Sequence, residues 1–215
     1  WQGQIFGTAK GRGGPLTHFV IDDARGTFAD AHVPGAVSRF AGKGELDILE
    51  PAFTAFHGFD VDAQSIDLRT IEYLYPSFPR LGGIASGTAT LDSSWLDVRF
   101  SNAHVVHQDG PGEPSRFSGS GRITYGEPFM IYDVALEAEP VSLTMLARSY
   151  PGLPVRGLMS GPVRAKGSSP DLELTTSGCT LGFNISGLRA SAPSGQTCML
   201  VVTSATVEGR PARWT

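Results

Sequence analysis

Short runs of alternating apolar and polar residues dominate the chain. Phe59, Val61 and Ala63 alternate with Asp60 and Asp62, and Leu96, Val98 and Phe100 alternate with Asp97 and Arg99. Val134, Leu136 and Ala138 alternate with Ala135 and Glu137, and Leu172 and Leu174 with Asp171 and Glu173. A period of two sends the two sets to opposite faces of a strand. Gly and Pro between the runs supply tight turns. The pattern predicts an antiparallel sheet with one apolar face and one polar face.

Two stretches break this period. Leu68, Ile71 and Tyr75 lie at helical spacing after Asp67, as do Leu143, Leu146 and Tyr150 after Ser142. Asp67 and Ser142 are good N-caps, and Pro76 and Pro151 stop both segments. Each predicts a helix of two to three turns. Helices that short are marginal alone, so each must dock its apolar stripe on an edge or end of the sheet.

The chain also repeats itself. Tyr75-Pro76-Ser77-Phe78-Pro79, followed by Ser86-Gly87, matches Tyr150-Pro151-Gly152-Leu153-Pro154, followed by Ser160-Gly161. Ser38-Arg39-Phe40-Ala41-Gly42-Lys43-Gly44 matches Ser115-Arg116-Phe117-Ser118-Gly119-Ser120-Gly121, and Gly7-Thr8-Ala9 matches Gly87-Thr88-Ala89. Collinear matches at one period mark a repeat architecture. Residues 1–24 read as the end of a preceding unit, 25–100 as one unit and 101–178 as a second. Residues 179–215 read as a divergent C-terminal hairpin, and all four parts as one continuous β-domain.

Composition fits this picture. The chain holds 27 Gly and 15 Pro in 215 residues, and 18% charged residues against about 25% in ordinary domains. A net charge of −4 gives no electrostatic footprint for nucleic acid. No run approaches the roughly 18 apolar residues of a transmembrane helix, and no signal peptide is visible. Cys179 and Cys198 flank Gly187–Gly195, a loop by composition, and share a face with Leu181, Phe183, Leu200 and Val202. This predicts a Cys179–Cys198 disulfide and an oxidising, periplasmic compartment. The alternative is two buried thiols behaving as small hydrophobes.

The recurring phrase of an apolar helix, Tyr-Pro-x-Φ-Pro, Gly, Ser-Gly and an alternating strand spans Ile66–Phe100 and Val141–Leu174. With the small-residue strand Ser115–Gly121, it resembles the repeats of AsmA-like and TamB-like bacterial envelope proteins over about residues 25–178. The resemblance implies an elongated, curved β-sheet whose apolar trough carries lipid acyl chains across the periplasm or supports outer-membrane assembly.

Catalytic signals are missing. No nucleophile elbow, Walker loop or dinucleotide fingerprint occurs. His104, His107 and Asp109 are close in sequence, but positions 104 and 107 of a strand face opposite ways, so the segment reads as a solvated loop. No metal site and no cofactor are expected. The expectation is a non-enzymatic β-rich protein. Its apolar face, carried by Phe59, Val61, Leu96, Val98, Phe100, Val134, Leu136, Leu172 and Leu174, binds lipid or another long apolar ligand. The alternative is an accessory subunit of a larger bacterial membrane complex, held through its sheet edge or apolar face. A glycan-binding or hydrolytic protein lacks its constellation here.

Overall fold

The computed structural model describes residues 3–13, 17–49, 53–76, 78–125, 130–149, 157–168, 171–176, 179–184, 187–191, 202–207 and 210–211. The alternating runs form long strands: β1 (Gly3–Gly13), β2 (His18–Asp30), β3 (Val37–Leu49), β4 (Phe53–Asp67), β5 (Ile84–Ser94) and β6 (Asp97–Gln108). They continue as β7 (Ser115–Thr124), β8 (Ile131–Ser142), β9 (Gly157–Ser168), β10 (Asp171–Thr176), β11 (Cys179–Asn184) and β12 (Gly187–Ser191). From β1 to β12 the order in the sheet is the order in the chain. Every pairing is antiparallel, as short connections require. Strand β13 (Val202–Val207) pairs with β9 and with β14 (Arg210–Pro211). The protein is thus an open, β-rich antiparallel meander, and bulges such as those at Gly58 and Asn102, at φ +58° and +52°, bend its strands.

The two breaks in period are the two helices, α1 (Leu68–Leu74) and α2 (Leu143–Ser149). Asp67 caps α1 by accepting from the Arg69 backbone N–H at 3.0 Å. The order strand, strand, helix, strand, strand occurs twice, as β3-β4-α1-β5-β6 and β7-β8-α2-β9-β10.

Register makes the repetition geometric. One row runs unbroken through Gly7, Gly26, Phe40, Ala63, Gly87, Val105, Phe117, Ala138 and Gly161. Phe40 and Phe117, the aromatics of the two Ser-Arg-Phe segments, stand four strands apart in it. Gly7, Gly87 and Gly161 stand at the same interval.

The hydrophobic core lies on β8 and β9. Tyr132, Val134, Ala138, Val163 and Ala165 of the sheet pack with Met130, Val141, Leu143 and Met145, all buried. Phe78 and Leu81, between α1 and β5, pack against this cluster from above. Polar contacts hold that connector in place. His107 bonds the Gly82 carbonyl at 2.7 Å, Glu72 accepts from the Gly82 N–H at 3.2 Å, and Arg148 of α2 donates to the Leu81 carbonyl at 3.2 Å. Arg148 also pairs with Asp109 at 2.6 Å.

Three readings of the sequence change. Residues 104–107 are part of strand β6, not a solvated loop, and His107 is 3% exposed. A carbonyl partner for its ring nitrogen makes that burial tolerable. Gly187–Ser191, expected in a loop, forms β12 against β11. Val202 opens β13 against β9 instead of completing a hairpin with residues 179–184. The Cys179–Cys198 pairing lies outside the described residues, because Cys198 does.

Candidate ligand face

Eight of the nine predicted face residues occupy one side of the sheet by register. The row Phe59, Leu91, Phe100, Gly121, Val134, Ala165, Leu174 crosses β4 to β10. A parallel row carries Phe19, Leu46, Phe56, Ser93, Val98, Ile123, Tyr132, Gly167 and Leu172. Val61 pairs across β5 with Ala89, and Leu136 across β9 with Val163, on the same side. Leu172 and Leu174 hold their places by backbone register.

Leu96 is the exception. It sits with Trp95 in the tight turn between β5 and β6 and is 38% exposed. Its parity with Val98 is right, but Ser94 ends the strand there, its hydroxyl accepting from the Asp97 N–H at 3.1 Å. Nothing in the turn is Gly or Pro, so the usual sequence mark is missing.

The face is not uniform. Val134 is buried at 9% exposure in one cluster with Leu143 and Met145 of α2, and Phe78, Leu81, Phe100 and Leu136 pack against that cluster. Along β1–β5 the buried apolar residues described do not include a single strand position. Phe19, Leu46, Phe56, Phe59, Val61 and Leu91 are half-buried there, and Phe40 is exposed. Phe56 and Phe59 lean on each other with ring centroids 5.7 Å apart. The folded chain thus leaves an aromatic-rich apolar surface half-exposed on β2–β7 and buries the same surface on β8–β9. Sequence periodicity identified the face, but it could not show where the connector folds back over it.

The opposite side is polar. Asp92, Arg99, Arg122, Asp133, Lys166 and Glu173 form one cross-strand row of mixed charge. Arg122 grips Asp97 through two bonds of 2.6 and 2.7 Å, and Arg164 pairs with Asp133 at 2.9 Å. Exposed pairs of this kind add about 0–1 kcal/mol each, so their main effect is to keep this side in water. A depression of about 840 Å³ lies among Arg99, Arg122, Asp133 and Lys166 on this side.

Asp60 and Asp62 also lie on the polar side, Asp60 accepting from Thr90 at 2.8 Å. The same side holds a cluster whose members lie on three different strands. Asp47 of β3 accepts from His18 of β2 at 2.7 Å and from His57 of β4 at 2.9 Å, with Glu45 3.8 Å from His18. These hydrogen bonds hold the Asp47 carboxyl below its usual range. A depressed carboxylate adds stability above its unfolded pKa and loses it as pH falls through the folded one. Replacing His18 and His57 with Gln is therefore expected to raise the Asp47 midpoint, read by carboxyl NMR titration. An unmoved midpoint would show that the two imidazoles do not set it. Among the described residues no group of three or more His, Cys, Asp or Glu is arranged to hold a metal ion.

No described helix is long and apolar enough to cross a membrane. No protein family, curated protein or solved structure matches the chain.

Proposed function

We propose that this protein is a non-enzymatic β-sheet module of the AsmA-like or TamB-like kind, acting in the bacterial periplasm, that holds a lipid acyl chain on its apolar face. The observation that carries the reading is the contrast along that face. The β8–β9 part packs with residues of the chain's own helix and connector, while Phe19, Leu46, Phe56, Phe59, Val61 and Leu91 stay half-exposed on β2–β5. Large apolar patches left in water usually mark an interaction site. Each methylene withdrawn from water contributes about 0.8 kcal/mol, so a chain laid along these residues has enough to bind reversibly. Among the described residues the two rows carry no charged side chain, which fits an apolar ligand.

The test is a titration of the purified protein with a fluorescent fatty acid, together with mass spectrometry of co-purified lipid. Phe59→Asp is expected to weaken fatty-acid binding at least about tenfold, which is about 1.4 kcal/mol, while leaving the fold intact because Phe59 is only half-buried. Binding that is absent from the natural protein, or unchanged in the variant, would end the lipid reading.

A further inference from the structure

We infer that the depression on the polar side of β6–β9 is a binding site for a phosphate-bearing ligand. It lies on the side of the sheet opposite the apolar face and does not depend on what that face holds.

Four cations from three strands line this depression: Arg99 of β6, Arg122 of β7, and Arg164 and Lys166 of β9. All four are exposed. Among the described residues Asp133 is the one carboxylate that lines it with them. Register brings the group together, since Arg99 pairs with Arg122, Arg122 with Asp133, and Asp133 with Lys166. The floor beside this row is made of small residues, with Ser120 of β7 opposite Ala135 of β8 and Ala135 opposite Arg164. Ala135 stands on the polar side, where a longer side chain would fill the space. A volume of about 840 Å³ is in the range of sites that take a whole small molecule.

Ion pairing within the chain does not account for this grouping. Like charges directly opposite on neighbouring strands repel, and Arg99 and Arg122 are so placed. The nearby carboxylates are engaged elsewhere. Asp97 holds Arg122 through Nε and Nη2 at 2.6 and 2.7 Å, and Asp133 holds Arg164 through the same two nitrogens at 3.1 and 2.9 Å. Asp92, opposite Arg99 on β5, accepts from the Gly58 N–H at 2.8 Å. Among the described residues neither Arg99 nor Lys166 makes an ion pair. The two carboxylate grips orient their guanidinium groups and leave Nη1 of each turned away, on side chains 53% and 61% exposed. An anion in the depression meets two oriented guanidinium edges and two unpaired cations, and relieves the Arg99–Arg122 repulsion.

The positive sign is local to this place. The chain carries a net charge of −4. A second depression on the polar side is lined by Asp22, Asp23, Asp60 and Asp62, with Lys43 as the one cation among the described residues there. A cleft lined by one sign of charge concentrates ligands of the other sign, so an anion is steered to β6–β9 and away from β2–β4. Phosphate suits the site better than a carboxylate. It presents three acceptor oxygens against two, enough to meet cations arriving from several strands, and the guanidinium fork matches its geometry.

The experiment titrates the full chain with inorganic pyrophosphate by calorimetry at low ionic strength, where exposed charges are least screened. One site per chain with a Kd below about 1 mM is expected. Arg99→Gln with Lys166→Gln is expected to weaken binding at least tenfold, with an unchanged far-UV circular dichroism spectrum. Lys43→Gln removes the same charge from the acidic depression and is expected to leave binding unchanged, as is Phe59→Asp on the apolar face. Sedimentation with phosphatidylcholine vesicles containing phosphatidic acid separates the sources of phosphate. Capture that pyrophosphate competes away and the double variant loses supports the site with a lipid headgroup as its ligand. Pyrophosphate binding without capture supports it with a soluble phosphate compound. Absence of pyrophosphate binding, binding that the double variant retains, or equal weakening by Lys43→Gln would overturn the proposal.

Discussion

Replacing Val134 with Asp is expected to abolish cooperative folding at 25 °C. Val134 lies 9% exposed in the middle of the β8–β9 face, among Tyr132, Ala165, Leu143 and Met145. The change forfeits about 1.5–3 kcal/mol of burial. It also places a carboxyl group in an apolar cluster, which costs several kcal/mol even after the group takes up a proton. A domain of this size is stable by about 5–15 kcal/mol in all, so a loss above about 4 kcal/mol removes most of the margin. Val98→Asp, on the same side but half-buried, is expected to cost only about 1 kcal/mol. Urea unfolding followed by circular dichroism measures both. Equal effects at the two positions would show that the face is not divided into a sealed part and an open part.

That division is the point at which the sequence stops being legible. The period of two separates the faces correctly at Phe59, Val61, Val98, Phe100, Val134 and Leu136. The helical spacing after Asp67 and Ser142 marks both helices to within a residue of their observed ends. These are local signals, set by neighbours a few positions away. Coverage of the face is a long-range property. It depends on Arg148 reaching Leu81 and Asp109, and on His107 reaching Gly82, contacts separated by up to 67 positions in the chain. The same limit hid the joining of His18, Asp47 and His57, which requires the register of three strands. The turn at Trp95-Leu96 was missed for a different reason. Neither residue is the Gly or Pro that usually announces a turn, and Ser93, two positions before it in β5, takes φ +71° without a glycine.

The repeated small-residue strand carries the last expectation, because its glycines are required by the neighbouring strand and not by turns. Gly119 lies in β7, at φ +150°, which L side chains rarely adopt. An added Cβ would overlap the Ala135 carbonyl oxygen and crowd the Cα of Leu136, both main-chain atoms of β8. Main chain in the interior of a sheet cannot yield without disturbing its other pairings. Gly119→Ala is therefore expected to destabilise the protein by about 3 kcal/mol, strain and overlap together. Gly42, its counterpart in the earlier unit, separates these causes. The nearest obstacle there is the Phe59 ring, 2.5 Å from the built Cβ, and a half-buried ring can swing aside. Gly42→Ala is expected to cost about 1 kcal/mol. Gly35→Ala supplies the control for backbone strain alone, since φ is +85° with nothing within 4 Å of the added carbon, and about 1–2 kcal/mol is expected. The ordering, with Gly119 well above the other two, is read from urea midpoints at constant m-value. If Gly119→Ala falls to the level of Gly35→Ala, β7 and β8 are farther apart than the pairing of Gly119 with Leu136 requires.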